Sequence, residues 1–497
     1  MSEEKQRYQV PKGAQSAHSI KIDGREIAYA ADAGWLVVRD REKPVAELFH
    51  VYYRSADTDA DPDAAKNRPL TFVFNGGPGA ASAYLHVGAI GPRRVVFAQD
   101  ATPPAPPVSL TNNEESWLSF TDLVFVDPVG TGFSRAIKED EGEEKEETKE
   151  PGEKQFWKIQ KDLSTLGEFI TRFLSDRKRW ESPIFVAGES YGGFRAAKLT
   201  RLLQERYGVG LNGAVLISPA LEFALLDASD YDVLPWVDIV PSLVAAAAHH
   251  GRSSLKADAS RDEILTEAER FATERLPELL IKGDTMSDSK RDQVLATMSK
   301  LTGLTKDVIE LTGGRVDAHR FSRELLRDQG VVCGLYDATI TATDPFPDRN
   351  SFEGADPTLR SIERIFAAGI NAQLRDRLGL ETDREYHLLS MEVNQGWQVD
   401  MERHALESQI GATDDLRYGM SLNPYLKVRI THGIYDLVTP YFSSNRIASL
   451  MKSSPTAREN LSLKHYAGGH MFYAWDESRK AFAADMRAFY EAAVPAK

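Results

Sequence analysis

Gly188-Glu-Ser190-Tyr-Gly192-Gly193 follows a short apolar run, Ile184-Phe-Val-Ala187. A serine with glycine two residues to each side suits a strand–turn–helix junction that lifts one hydroxyl clear of the backbone. The turn crowds the chain, and a Cβ at either glycine would strike the adjoining strand or helix. The helix that follows directs its positive N-terminus at the hydroxyl. The chemistry expected of Ser190 is covalent: hydrolysis or acyl transfer through an acyl-enzyme.

A serine hydroxyl is a poor nucleophile at neutral pH. It needs a base to take its proton and an anion to orient that base. The acid candidate is Asp436, in Val428-Arg-Ile-Thr-His-Gly-Ile-Tyr-Asp436, a strand pattern running into a Gly-containing turn. The base candidate is His470, after two glycines in Tyr466-Ala-Gly-Gly-His470. Between them there is room for one helix, 443–452, and one strand, 461–466. His465 and His432 compete for the role of base, and Asp414 and Asp415 for that of acid. His465 falls inside the expected strand and His432 just precedes Gly433. A third element is Asn75-Gly76-Gly77-Pro78-Gly79, after Leu70-Thr-Phe-Val-Phe74. Read plainly it is a tight turn. A Gly-rich loop after an early core strand also suits one oxyanion donor, with the amide after the nucleophile, that of Tyr191, as the other.

Positioning these groups requires strands that end in loops. The apolar runs at 70–74, 123–126, 184–187, 213–217 and 428–431 each precede a loop rich in Gly, Pro or Asp. They read as buried parallel strands with functional loops at their C-terminal ends. Helical patterns such as 157–179 lie between them, an alternation that predicts an α/β sheet. Upstream, strand-like runs at 19–23, 35–39 and 46–53 are separated by Asp23-Gly24, by Asp32-Ala-Gly34 and by the charged segment 40–43, as expected of antiparallel edge hairpins. Residues 138–154, dense in Glu and Lys, read as a solvated loop. Helical stretches at 236–250, 261–282, 287–303, 317–329 and 359–378 break the alternation. The expected division is a first core part (1–220), a mainly helical cap (221–395) and a second core part (396–497), closing with an amphipathic helix over 477–493.

The chain has 497 residues, 42% of them apolar, enough for a large core. A net charge of −14 argues against nucleic acid as a partner. The one cysteine, Cys333, rules out an intramolecular disulfide and a Cys-rich zinc site, and reads as a small core residue. The reading calls for no metal and no cofactor. The polar N-terminus lacks an apolar leader and no apolar stretch is long enough for a membrane span, so the expectation is a cytoplasmic protein without membrane insertion. A chain trimmed of a secretory signal would read the same way. Oligomeric state and side-chain preference leave no mark on these motifs.

Five ordered motifs, Asn75-Gly-Gly-Pro-Gly79, Asp127-Pro-Val-Gly-Thr-Gly-Phe-Ser134, Gly188-Glu-Ser-Tyr-Gly-Gly193, Gly433-Ile-Tyr-Asp436 and Gly469-His-Met471, together resemble the serine carboxypeptidase family. The resemblance implies an α/β-hydrolase fold: a mostly parallel sheet flanked by helices, with antiparallel N-terminal edge strands and an inserted, largely helical cap. It implies a Ser190–Asp436–His470 triad and an oxyanion hole from the amides of Gly77 and Tyr191. It places Asn75, Gly76 and Glu189 at the substrate, with Asn75 and Glu189 on its terminal carboxylate. To donate there Glu189 must be protonated, which favours acidic pH.

Three positions depart from the family's pattern. Ala80-Ala-Ser82 replaces Cys-Ser-Ser. Ala89-Ile90 precedes Gly91-Pro92 where the family carries a second Glu of its carboxylate-binding network, and Arg93 stands close by as a substitute cation. Phe472-Tyr473 replaces Val-Pro after His-Met. The expected activity is a serine-type carboxypeptidase acting on peptides. The alternative, which Ala89 favours, is an esterase or acyltransferase on small esters. A third reading is a hydrolase-fold binding protein without activity.

Overall fold

The computed structural model describes residues 8–40, 42–60, 62–137, 152–255, 259–349, 352–399 and 410–494. Most of the charged segment 138–154 lies outside the described residues.

The sheet contains β1 (Ala14–Ile22), β2 (Arg25–Asp40), β3 (Lys43–Ser55), β4 (Leu70–Phe74), β5 (Asp122–Val126), β6 (Ile184–Glu189), β7 (Gly213–Ile217), β8 (Lys427–Gly433) and β9 (Leu461–Tyr466). Its order is β1-β2-β3-β5-β4-β6-β7-β8-β9, with the short strand Arg135–Ala136 also paired to β3. From β5 to β9 every pairing is parallel, and from β1 to β5 every pairing is antiparallel. The parallel strands β4, β5, β6 and β7 are buried along their whole length, as expected of strands covered by helices on both faces. The edge strand β1 instead alternates between covered and exposed positions.

Side-chain alternation divides the core in two. Val73, Phe125, Phe185, Val215 and Ile217 join one apolar cluster, whereas Phe72, Phe74, Val124, Val186, Leu216 and Ile430 join the other. The second face is covered by α1 (Ile159–Asp176), through Leu163, Phe169 and Phe173, and by α2 (Tyr191–Tyr207), through Phe194 and Leu199. Between β7 and β8 the chain leaves the sheet and forms, among other elements, α3 (Leu234–His249), α4 (Arg261–Glu274), α5 (Asp288–Thr302), α6 (Pro357–Asn371) and α7 (Thr413–Leu422). A third apolar cluster joins Trp236, Leu243, Phe271 and Met298 of this segment to Ile434, Leu437 and Tyr441, just beyond β8. Buried Cys333 lies in it. After β8 come α8 (Tyr441–Leu450) and, beyond β9, α9 (Asp476–Ala493), whose Phe482, Met486, Phe489 and Tyr490 cover the first face. Among the described residues no helix is long and apolar enough to cross a membrane.

Two local expectations are corrected. Asp32-Ala33-Gly34 is not a turn, because β2 runs straight through it. Asp32 is buried there with Arg54 at 2.8 Å and Arg177 at 2.9 Å from its Oδ2, two cations that offset the carboxylate's charge inside a strand. The helix expected over 261–282 is two helices, α4 and Leu276–Lys282. Pro277 in the first turn of the second has no N–H to donate, and its ring opposes the preceding turn.

Candidate active site

Ser190 sits between β6 and α2 with φ 60° and ψ −124°, a conformation that costs on the order of 1–3 kcal/mol and persists only where its surroundings enforce it. The enforcement is visible. A Cβ on Gly188 would come within 1.9 Å of the Gly192 carbonyl oxygen, so only glycine lets the turn close. The Ser190 N–H donates to Ile217 O at the end of β7, 2.9 Å away.

Asp436 follows β8 and His470 follows β9, neighbouring parallel strands, so both loops leave the same edge of the sheet as Ser190. His470 Nδ1 lies 2.7 Å from Asp436 Oδ2. Asp436 is fully buried, and its Oδ1 accepts from the backbone N–H groups of Val438 and Thr439 at 2.8 and 3.0 Å. Thr439 Oγ1 lies 2.7 Å from Asp436 Oδ2 and 3.1 Å from His470 Nδ1. Burial opposes a charge on His470, but the Asp436 carboxylate and its hydrogen bond, with Glu189 adding to them, hold the imidazole above its ordinary range. Its Nε2 is buried and has no hydrogen-bond partner among the described residues. Ser190 and His470 are joined indirectly. Ser218 Oγ donates to His470 O at 2.8 Å, and the Ala220 N–H reaches Ser190 O at 3.2 Å, so the loop after β7 ties both.

The competing residues are engaged elsewhere. His432 contacts Thr439 O and Ser444 Oγ, and His465 contacts Asn445 Oδ1. Asp415, on α7, pairs with Lys198 and Arg201 of α2, and Asp414 stands exposed beside it in the first turn of α7.

The Gly-rich loop meets the turn at Ser190. A Cβ on Gly76 would lie 2.5 Å from the Tyr191 nitrogen and 2.9 Å from Ser190 Cβ. Gly77 follows with φ 97°. The Tyr191 ring is buried against Phe194 and Trp397, with the Arg195 guanidinium over its face. Arg195, paired with Asp162 at 2.7 Å, donates to Asn75 O at 2.8 Å and fixes the start of the loop. Asn75 is oriented by the Leu85 N–H, which donates to its Oδ1 at 3.0 Å, so its Nδ2 faces Glu189 Oε2 and donates to it. Tyr473 donates to Glu189 Oε1 at 2.8 Å. Burial pushes the Glu189 carboxyl up to about 7, against the pull of His470, Tyr473 and Asn75.

Ala89 is a buried methyl in the first apolar cluster. Arg93 does not replace the missing carboxyl's function: its guanidinium is bound within its own short hairpin, to Asn112 Oδ1 at 3.1 Å and Leu110 O at 3.3 Å. Asp127 is also buried, takes the Ser82 N–H at 2.9 Å and is pushed by burial up to about 7. Sequence reasoning passed over Ser218, Thr439 and the role of Tyr473. The first two follow strand patterns as ordinary turn residues. Tyr473 was visible only as a departure three residues beyond His470.

The sheet order and the groups at its strand ends define an α/β-hydrolase. The family model for serine carboxypeptidase matches residues 24–223, and over that stretch the chain is similar to those enzymes. It is 34% identical over 150 residues to the pheromone-processing carboxypeptidase kex1 of Aspergillus niger, covering 28% of this chain and 20% of that protein. It is 32% identical over 157 residues to KEX1 of Saccharomyces cerevisiae, covering 31% and 19%. To serine carboxypeptidase-like 33 of Arabidopsis thaliana it is 28% identical over 156 residues, covering 29% and 27%. The chain thus spans about a fifth to a quarter of these relatives' lengths. Among solved structures, the peroxisomal alpha-beta-hydrolase Lpx1 of Saccharomyces cerevisiae aligns over 99% of this chain and 92% of its own, at 10% identity and a TM-score of 0.35. The monoglyceride lipase of the same yeast aligns over 99% of both at 11% identity and a TM-score of 0.32.

Proposed function

We propose that this hydrolase is a serine-type carboxypeptidase. The observation that carries the reading is the buried Asp436–His470 contact of 2.7 Å, whose imidazole leaves Nε2 unpartnered at the same sheet edge as the strained Ser190. In the reaction, His470 Nε2 takes the Ser190 proton as Oγ bonds to the scissile carbonyl carbon. Asp436 holds Nδ1–H and stabilises the imidazolium. The amides of Gly77 and Tyr191 bind the oxyanion, each such donor being worth roughly 10²–10³ in rate. The imidazolium returns its proton to the leaving amine as the C–N bond breaks. Water, deprotonated by the same nitrogen, then resolves the acyl-enzyme and restores Ser190. Asn75, Gly76 and Glu189 receive the substrate's C-terminal residue, and a Glu189 protonated below about pH 7 donates to its carboxylate.

A second reading, an esterase or acyltransferase with the same nucleophile, is favoured by Ala89, whose methyl supplies no carboxyl to that network. One experiment separates the two. A peptide with a free C-terminus, its amidated form and an aryl ester are compared, with fluorophosphonate labelling of Ser190 as the check on the nucleophile. Turnover of the free peptide well above the amidated one supports the carboxypeptidase; turnover confined to the ester and the amide overturns it.

A further inference from the structure

Position 89 offers only a buried methyl, yet one turn earlier the same helical stretch carries a buried polar group with no hydrogen-bond partner among the described residues. Ala83–Leu85 and the wider turn His86–Ile90 are continuous. Tyr84 packs its ring against Phe366 of α6, with centroids 5.0 Å apart. Gly88, four residues on, faces the same wall, since a Cβ there would meet Phe366 at 2.9 Å and Tyr473 at 3.0 Å. Tyr473 is the residue that donates to Glu189. Tyr84 therefore lines the aromatic wall behind the Asn75–Glu189–Tyr473 chain. It is 6% exposed, and its hydroxyl has no hydrogen-bond partner among the described residues. Buried hydroxyls ordinarily have a hydrogen-bond partner, whether protein, water or a bound molecule. Burial and the charges of Glu363 and Glu189 push its ionisation up, so the phenol keeps its proton.

We propose that Tyr84 is a substrate-binding residue, whose hydroxyl donates a hydrogen bond to the C-terminal carboxylate of a peptide alongside Asn75 and Glu189. The inference rests on the carboxypeptidase reading and adds a residue to it. Tyr84 stands in for the carboxyl that Ala89 lacks, and it has one advantage over it. A carboxyl donates only while protonated, whereas a phenol donates across the whole neutral range.

The test is the ratio of kcat/KM for a free-carboxylate peptide to kcat/KM for the same peptide amidated, at pH 6. A hydrogen bond to a charged group predicts that Tyr84→Phe lowers this ratio about tenfold or more. Phenylalanine keeps the ring against Phe366, and Tyr84→Met, flexible and without a hydroxyl, gives a second reading should the first variant fold poorly. A ratio unchanged in the variants, including equal losses on both peptides, overturns the role of Tyr84 and leaves the carboxypeptidase standing. A wild-type ratio near one overturns the carboxypeptidase and this inference with it.

Discussion

The Tyr473 hydroxyl lies 2.8 Å from Glu189 Oε1, a contact between the loop that carries His470 and the residue just before Ser190. It couples the two sides of the site through a carboxyl poised near neutrality. The bond lowers the Glu189 pKa, so removing it raises that pKa further above the ordinary carboxyl value. Turnover that needs protonated Glu189 is present below its pKa and lost as pH rises through it. In the wild type, kcat/KM on free-carboxylate peptides is expected to fall through about pH 7. In Tyr473→Phe the fall is expected at higher pH. A pH profile of kcat/KM on one peptide checks this, and an unmoved midpoint would sink it.

Ser190→Ala is expected to lower kcat by about 10⁶, the loss seen when a triad nucleophile is removed from subtilisin. Single-turnover kinetics measure it, and labelling by a fluorophosphonate is expected to vanish with it.

Asp436→Asn is expected to cost about 10⁴ in kcat, because an amide that donates to Nδ1 leaves Nε2 protonated and unable to act as base. The comparison of kcat at saturating substrate decides the matter: a loss under tenfold would mean that the carboxylate does not set the imidazole's tautomer.

Asp127 is buried and held near neutrality, so between about pH 4 and pH 7 the folded chain retains a proton that the unfolded chain releases. Unfolding releases that proton, so this group's contribution makes stability fall as pH rises through that window, by at most about 1.4 kcal/mol per pH unit. Asp127→Asn is expected to flatten that slope. Melting temperatures of both proteins from pH 4 to 7 test it, and parallel curves would count against a neutral Asp127.

Much of the architecture was legible because burial writes itself into local pattern. The apolar runs at 70–74, 184–187 and 213–217 became strands buried on both faces, and 461–466 became β9. The elbow at Ser190 was legible for the same kind of reason: a backbone clash at Gly188 depends on residues only four positions away. Asp32-Ala33-Gly34 misled because the turn preference of Asp and Gly is local, and here it yields to strand pairing and to the tertiary ion pairs with Arg54 and Arg177.

By itself the sequence determined the order of strands and helices along the chain, the glycines its tight turn demands and a short set of candidate groups. Tertiary structure alone decided which histidine meets which carboxylate, that Arg93 turns away to its own hairpin, and that Tyr473 reaches Glu189 from 284 residues off. Periodicity and turn chemistry act over a few residues and so can be read along the chain. A hydrogen bond depends on a separation of about 3 Å, which for distant residues exists only after the sheet has brought its strand ends together.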